Sequence, residues 1–378
     1  GAYTAFEKSN KKIIPWYDYI LMILSVIIPV YIWTNYQSII DRVGDANPTD
    51  VILGTILVFL VLEAARRITG WALPIIGIIF IIYSLMGTRQ GIIPINIPGI
   101  FFHRGFQWNK LIGHLFSNTE GIYGTSVNVS STYIFLFIVF GEVMNKSGMG
   151  KFLNDISIGL AGHTKGGPAK VAVIASGLLG SINGSAVANV VTTGTFTIPL
   201  MKKVGYSKEF AGAVESTASV GGQLLPPIMG ATAFIMAETL GIQYREIVIA
   251  AAIPAIIYYL GIIFQIQLKA SKEDLGGMSK EDLPSLSETL KNYWHLTIPI
   301  LFLVYMLFFS GFTVIRGAFF TIILTIIVAQ LRKKTRMSIK DIQDAFISSA
   351  KSTVATAIAC ACVGIVIGVS SLTGFTIN

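Results

Sequence analysis

The chain alternates long apolar runs with short polar or basic joints. Runs near 20 residues without a period-2 alternation predict membrane-spanning helices rather than barrel strands. They fall at residues 16–33, 51–62, 71–86, 122–144, 171–200, 209–238, 247–268, 294–310, 313–331 and 353–372. Residues 87–121 form a longer, less apolar connection containing HRGFQWNKLIGHLF. That mixture of basic and aromatic residues suits a helix lying along the membrane surface, and an ordinary loop also fits. The expected fold is an all-α, polytopic integral membrane protein.

Two of the runs are interrupted. The first carries Gly180-Ser181-Ile182-Asn183-Gly184-Ser185, the second Gly221-Gly222-Gln223-Leu224-Leu225-Pro226-Pro227. Proline lacks the N–H a helix uses, and glycine permits backbone angles that other residues resist. Backbone groups freed at membrane depth cannot face lipid; they must be buried in protein or line a watery cavity. Residues 171–200 therefore predict a re-entrant hairpin bent at Asn183-Gly184, and 209–238 a broken helix. Paired interruptions of this kind point to the binding site of a secondary transporter.

Composition agrees. Hydrophobic residues make up 53% of the chain and charged residues 13%, with a mean hydropathy of +0.68; soluble domains carry about a quarter charged residues. The net charge of +8 sits at the ends of apolar runs, which reads as a membrane signal and not as a nucleic-acid surface. With Lys8, Lys11 and Lys12 cytoplasmic, the acidic 41–50 loop falls outside and Arg66-Arg67 inside. LRKKTRMSIK also falls inside, but only if 171–200 returns to the side it left. The spans at 122–144 and 353–372 then enter from opposite sides, the arrangement of inverted repeats. The first run is long enough to span, and no cleavable signal precedes it. The chain starts at a glycine and stops at Asn378 directly after an apolar run, so it is expected to be incomplete at both ends.

Candidate chemistry gathers at the interruptions. Ser181, Asn183, Ser185 and Asn189 crowd the hairpin tip, and Thr192, Thr193, Thr195 and Thr197 follow along the returning arm. Hydroxyls, amides and freed carbonyls are the ligands a small hard cation such as sodium takes, while half-helix N-termini suit an anionic group. Small residues also allow close helix packing, the reading preferred for the threonines. Asn183 and Ser185 read as functional; Gly221, Gly222, Gln223 and Pro226 make the second break. Glu215 is a carboxylate deep in an apolar segment, a proton carrier or a structural partner for a hydroxyl or lysine. Glu142 and Glu238 lie nearer span ends. No phosphate-binding Gly-Lys-Ser/Thr loop is present, so ATP is not the expected drive. His103, His114, His163 and His295 are scattered, and Cys360 and Cys362 point to different faces of one helix, so neither set makes a metal site.

GSINGSAVANVVTTGTFTIPLMKKVGY strongly resembles the tripartite ATP-independent periplasmic (TRAP) transporters. EFAGAVESTASVGGQLLPPIMGATAFIMAE continues the match, and FIVFGEVMNKSGMG and GHTKGGPAKVAV upstream also look like this family. The pattern is most similar to fused permeases of the TAXI subgroup, which implies a small-subunit-like region at 1–115 and a large-subunit-like region at 116–378. The resemblance implies an ion-driven, usually sodium-driven, importer of the bacterial or archaeal inner membrane, moving as an elevator. It implies an extracytoplasmic binding protein that delivers an organic acid or similar solute, and no cofactor beyond the coupling ion. By position, Asn183, Ser185, Gly221, Gly222 and Pro226 fall where the family builds its first sodium site; a second hairpin and second site are expected after Asn378. The alternatives are an inverted-repeat transporter that needs no binding protein, proton coupling through Glu215, or a channel or scaffold. No catalytic constellation is present, so an enzyme is not expected.

Overall fold

A computed structural model describes residues 15–42, 44–95, 99–279, 281 and 283–375. Lys8, Lys11, Lys12 and Asn378, on which the expected orientation and continuation rest, lie outside the described residues. Among the described residues the regular structure is helical, with one isolated bridge between Met86 and Ile93. In chain order the helices are α1 Trp16–Thr34, α2 Tyr36–Asp41, α3 Pro48–Thr69, α4 Ala72–Leu85, α5 Trp108–Ser117 and α6 Thr125–Val129. A π turn at Ser130–Ile134 leads into α7 Phe135–Lys146, then α8 Met149–Ala161, α9 Gly167–Asn183, α10 Ala186–Lys203, α11 Lys208–Gly221 and α12 Ala231–Leu240. The rest are α13 Tyr244–Lys272, α14 Leu286–Tyr293, α15 Thr297–Phe308, α16 Val314–Ala329 and α17 Ile339–Thr373.

Four of these are long and apolar enough to cross a membrane: α1, the continuous rod Thr125–Lys146, α13 and α17. Helices α4, α12 and α16 are apolar but shorter. The expected interruptions are real. Residues 171–200 form two helices, α9 and α10, that pack against each other across a break at Gly184, and 209–238 form α11 and α12 with an irregular connection between them. Three features differ from the sequence reading. Helix α8 fills a stretch outside the expected spans; Met149, Phe152, Leu153 and Ala161 make an apolar stripe at helical spacing, too short and too polar to read as a crossing. The run at 294–310 starts with a 3₁₀ turn, Trp294–Leu296. Helix α17 begins well before residue 353.

The chain divides into two units, Gly1–Ser131 with Val354–Asn378, and Thr132–Thr353. In the first, Leu57, Val61, Leu111, Leu115, Cys362 and Ile365 share one core. The connection 87–121 holds helix α5, whose Leu111, Ile112 and Leu115 are fully buried. It lies close to α3 because Gly54 has no side chain: a Cβ there would meet Ile112 Cγ2 at 2.6 Å and Phe116 Cβ at 3.0 Å. Helix α3 starts cleanly, since Asn47 Oδ1 accepts from Asp50 N at 2.8 Å and Asp50 accepts from Asn47 N at 3.1 Å.

The second unit is built around α9, thirteen of whose residues are buried. Ala169, Ala172 and Val173 of α9 pack with Met201 of α10, Ala211, Val214 and Ala218 of α11, and Ile266 of α13. Small side chains let these helices approach closely, and that close packing sets the geometry of the interruptions.

Candidate functional site

Helix α9 stops at Asn183 because Gly184 turns into the left-handed region, with φ of 63°. A side chain there would be both strained and blocked, its Cβ 2.4 Å from the Met229 carbonyl oxygen. Asn183 Oδ1 accepts from Ser185 N at 3.1 Å, and Ser185 Oγ accepts from Ala188 N at 3.3 Å, which starts α10. The two residues singled out at the first break thus shape the turn with their own side chains.

The second break faces the first. Gly180 and Gly222 touch backbone to backbone: a Cβ on Gly222 would lie 2.6 Å from Gly180 Cα. Ile228 N donates to Ser181 O at 3.2 Å, and Gln223 Nε2 donates to Gly184 O at 3.3 Å. Past Gly221 the chain tightens: Gln223 N bonds Val220 O, Leu224 N bonds Gly221 O, and Leu225 N bonds Gly222 O. Pro226 sits half-buried in this connection, which the Tyr244 hydroxyl pins by donating to Ile228 O. Gly221 faces the other way, against α13, where a Cβ would lie 2.3 Å from the Tyr258 ring. Tyr259 and Tyr258 donate to Ala218 O at 2.8 Å and Thr217 O at 2.9 Å, satisfying carbonyls at the end of α11.

Beneath the breaks lies a buried polar layer. Asn189 is fully buried; its Nδ2 donates to Ser176 O at 2.7 Å, while its Oδ1 has no hydrogen-bond partner. Glu215 is also fully buried. Its carboxylate accepts from Ser176 Oγ at 2.7 Å and Ser219 Oγ at 3.3 Å, and from the hydroxyls of Thr193 and Thr197. One carboxylate therefore joins α9, α10 and α11. Of the two roles open to Glu215, a partner for hydroxyls is the one seen in the geometry, and Thr193 and Thr197 do more than permit close packing. Thr192 and Thr195 bond their own helix backbone. Glu142 is half-buried in α7, and Glu238 is exposed near the end of α12. Among the described residues no His, Cys, Asp and Glu cluster suited to a metal ion is present.

Ser181, Asn183, Ser185, Asn189, Gly222 and Gln223 are thus drawn together, with Glu215 one layer below. Ser176, Ser219, Tyr258 and Tyr259 stand outside the residues that the sequence pattern singles out. Ser219 follows Glu215 by four residues and shares its helix face, a readable signal. The tyrosines lie some 40 residues from their partners in sequence, and nothing local marks them. Electrostatically, α9 and α11 bring C-terminal ends to the breaks and α10 and α12 bring N-terminal ends. The first pair suits a cation and the second an anionic group.

The family model for the "Tripartite ATP-independent periplasmic transporter, DctM component" matches residues 56–378. The chain is 24% identical over 182 residues to the 2,3-diketo-L-gulonate TRAP transporter large permease protein YiaN of Escherichia coli, covering 47% of this chain and 42% of that protein. It is 26% identical over 183 residues to the C4-dicarboxylate TRAP transporter large permease protein DctM of Pseudomonas aeruginosa, covering 48% and 42%. A Vibrio cholerae protein of the same description is 29% identical over 155 residues, 41% of this chain and 33% of that protein. The chain thus spans less than half the length of these relatives.

Proposed function

Because this chain belongs to the tripartite ATP-independent periplasmic transporter family, DctM component, we propose that it is the membrane permease of a sodium-driven importer of small carboxylate-bearing solutes. The family is one of transporters, not enzymes, and the apolar helices make this a multi-pass membrane protein. The observation that carries the reading is the buried, unpartnered Asn189 Oδ1 beneath two facing helix C-termini. An amide oxygen left without a donor costs about 1–3 kcal/mol unless something satisfies it. A cation bound among Asn183, Ser185, Asn189 and the carbonyls of Gly221 and Gly222 satisfies it. The N-termini of α10 and α12 offer N–H groups to a carboxylate. The E. coli and P. aeruginosa relatives are named for anionic organic acids, which supports that class of solute.

In this reading α9–α10 is a re-entrant hairpin and α11–α12 a broken helix of an elevator-type transport domain. The solute is delivered by an extracytoplasmic binding protein, and the permease sits in the inner membrane with its N-terminus cytoplasmic. We place it among fused permeases of the TAXI subgroup, with 1–115 small-subunit-like and 116–378 large-subunit-like. The family match opens at residue 56, inside α3, so this division rests on the character of the first spans. The test is uptake into proteoliposomes by the full-length permease with its binding protein. An inward sodium gradient should drive uptake, and Asn189→Leu and Ser185→Ala should raise the sodium concentration needed. Uptake that ignores sodium and follows a proton gradient transfers the coupling role to Glu215. Uptake without any binding protein removes the tripartite reading.

A further inference from the structure

Helix α1 is tied to α3 at two points. At one end Arg67 Nη1 donates to Asp18 at 2.6 Å and Arg67 Nε to Glu63 at 2.7 Å. At the other end the Tyr31 hydroxyl donates to Asp50 at 2.8 Å and Ile28 is buried. Residues of both helices line a groove of about 430 Å³, a size typical of small-molecule sites. Leu21, Met22 and Pro29 of α1, Leu57 and Leu60 of α3 and Ile358 of α17 line it. Ser25, midway, commits its hydroxyl to Met22 O at 2.7 Å, so the wall is apolar in effect.

The ends of the groove fix its depth. Trp16 and Trp71, both largely exposed, flank the charged end, and Arg66 lies over the Trp71 ring at 5.3 Å. Tryptophans in this position mark headgroup level. From Asp18 to Pro29 a helix advances roughly 16 Å, about half the ~30 Å hydrocarbon core. The groove therefore runs from the interface through one leaflet. Its apolar wall on α1 opens to the surroundings, since only Ile28 of that helix is buried.

The charged end carries both signs. Glu63 accepts from Arg66 and Arg67, and Asp18 from Arg67. Arg67 commits two of its five N–H groups to these bonds, and the remainder suit a phosphate. A headgroup of negative charge alone would also meet Asp18 and Glu63. We infer that this groove is a binding site for one phospholipid with a zwitterionic, primary-ammonium headgroup. An acyl chain lies between α1 and α3, the phosphate meets Arg67, and the ammonium meets the Asp18 and Glu63 carboxylates.

The test is native mass spectrometry of the delipidated full-length permease in detergent, with phosphatidylethanolamine, phosphatidylcholine or phosphatidylglycerol added. The ethanolamine lipid should be retained about tenfold more strongly than either other lipid, the ratio that one charge-assisted hydrogen bond supplies. Met22→Trp, at a half-exposed position that tolerates a large side chain, should abolish the retention by filling the groove. Arg67→Gln should erase the preference among headgroups. Equal retention of the three lipids, or undiminished retention in Met22→Trp, overturns the assignment. The sodium and binding-protein dependence of uptake is a separate readout, so failure of either reading is seen independently.

Discussion

Replacing Gly222 by alanine puts a methyl carbon 2.6 Å from Gly180 Cα and 3.0 Å from the Gly180 carbonyl carbon. Non-bonded carbons rest at about 3.5–4.0 Å, so the two backbones must part by roughly 1 Å. Both contacts are main chain, and no rotamer change relieves them. Overpacking of this kind costs about 1–3 kcal/mol. Gly212 provides the control: it lies inside α11, the helix that Gly222 caps, and a Cβ there meets nothing within 4 Å. Gly212→Ala should stabilise by up to about 1 kcal/mol, the difference in helix propensity. The same substitution ten residues apart thus carries opposite signs, a gap of about 1–4 kcal/mol. Unfolding in mixed detergent–dodecyl sulfate micelles measures it. The transport readout should split the same way, because Asn189 Nδ2 stands only 3.0 Å from the place a Gly180 Cβ would take. Parting the glycines disturbs that amide, so Gly222→Ala should weaken sodium-driven uptake and Gly212→Ala should not. If Gly222→Ala unfolds no more easily than the wild type while Gly212→Ala behaves as stated, the close approach of α9 and α11 is wrong.

Three further outcomes follow from the same geometry. Glu215→Ala leaves a cavity and removes the acceptor that four hydroxyls share, and should cost about 3 kcal/mol. Glu215→Gln should fold well and keep sodium-driven uptake, whereas a proton carrier would lose uptake equally in both variants. Asp50 is fully buried and accepts from Arg42 Nε at 2.8 Å, so Asp50→Ala should cost about 3 kcal/mol and deprotect the first turn of α3 in hydrogen exchange. At the exposed start of α17, hydrogen bonds from the Ser338 hydroxyl and N–H hold the Asp341 carboxyl below its ordinary value of 3.8. With the folded value below the unfolded one, the cap's contribution is complete above that pH and fades as pH falls through the folded value. Protection of the first α17 amides, measured against the unfolded chain, should fall over that acid range, and Asp341→Asn should remove the dependence.

The breaks were legible because their causes are local. Gly184 must adopt a left-handed turn, and Pro226-Pro227 cannot extend a helix, whatever surrounds them. Helix α8 was harder to read, since its apolar stripe is regular but interrupted by Lys151, Asn154 and Asp155. The buried polar layer was only half visible. Glu215 stands out as a carboxylate in an apolar run, but its partners come from three helices, and Thr193 and Thr197 become its ligands only through the packing of α10 against α11.

The amino-acid pattern is sufficient to set which segments are apolar helices and where they must break, because hydrophobic run length and the backbone limits of glycine and proline act within a few residues. What faces what is settled by packing over long separations. Gly180 meets Gly222, Ser181 meets Ile228, and Tyr258 and Tyr259 close the end of α11 only once α9, α11 and α13 are in contact. The same holds for the groove between α1 and α3. Its apolar walls are written in two separate runs, and they come to line one groove only once the ties at Asp18–Arg67 and Tyr31–Asp50 set α1 beside α3.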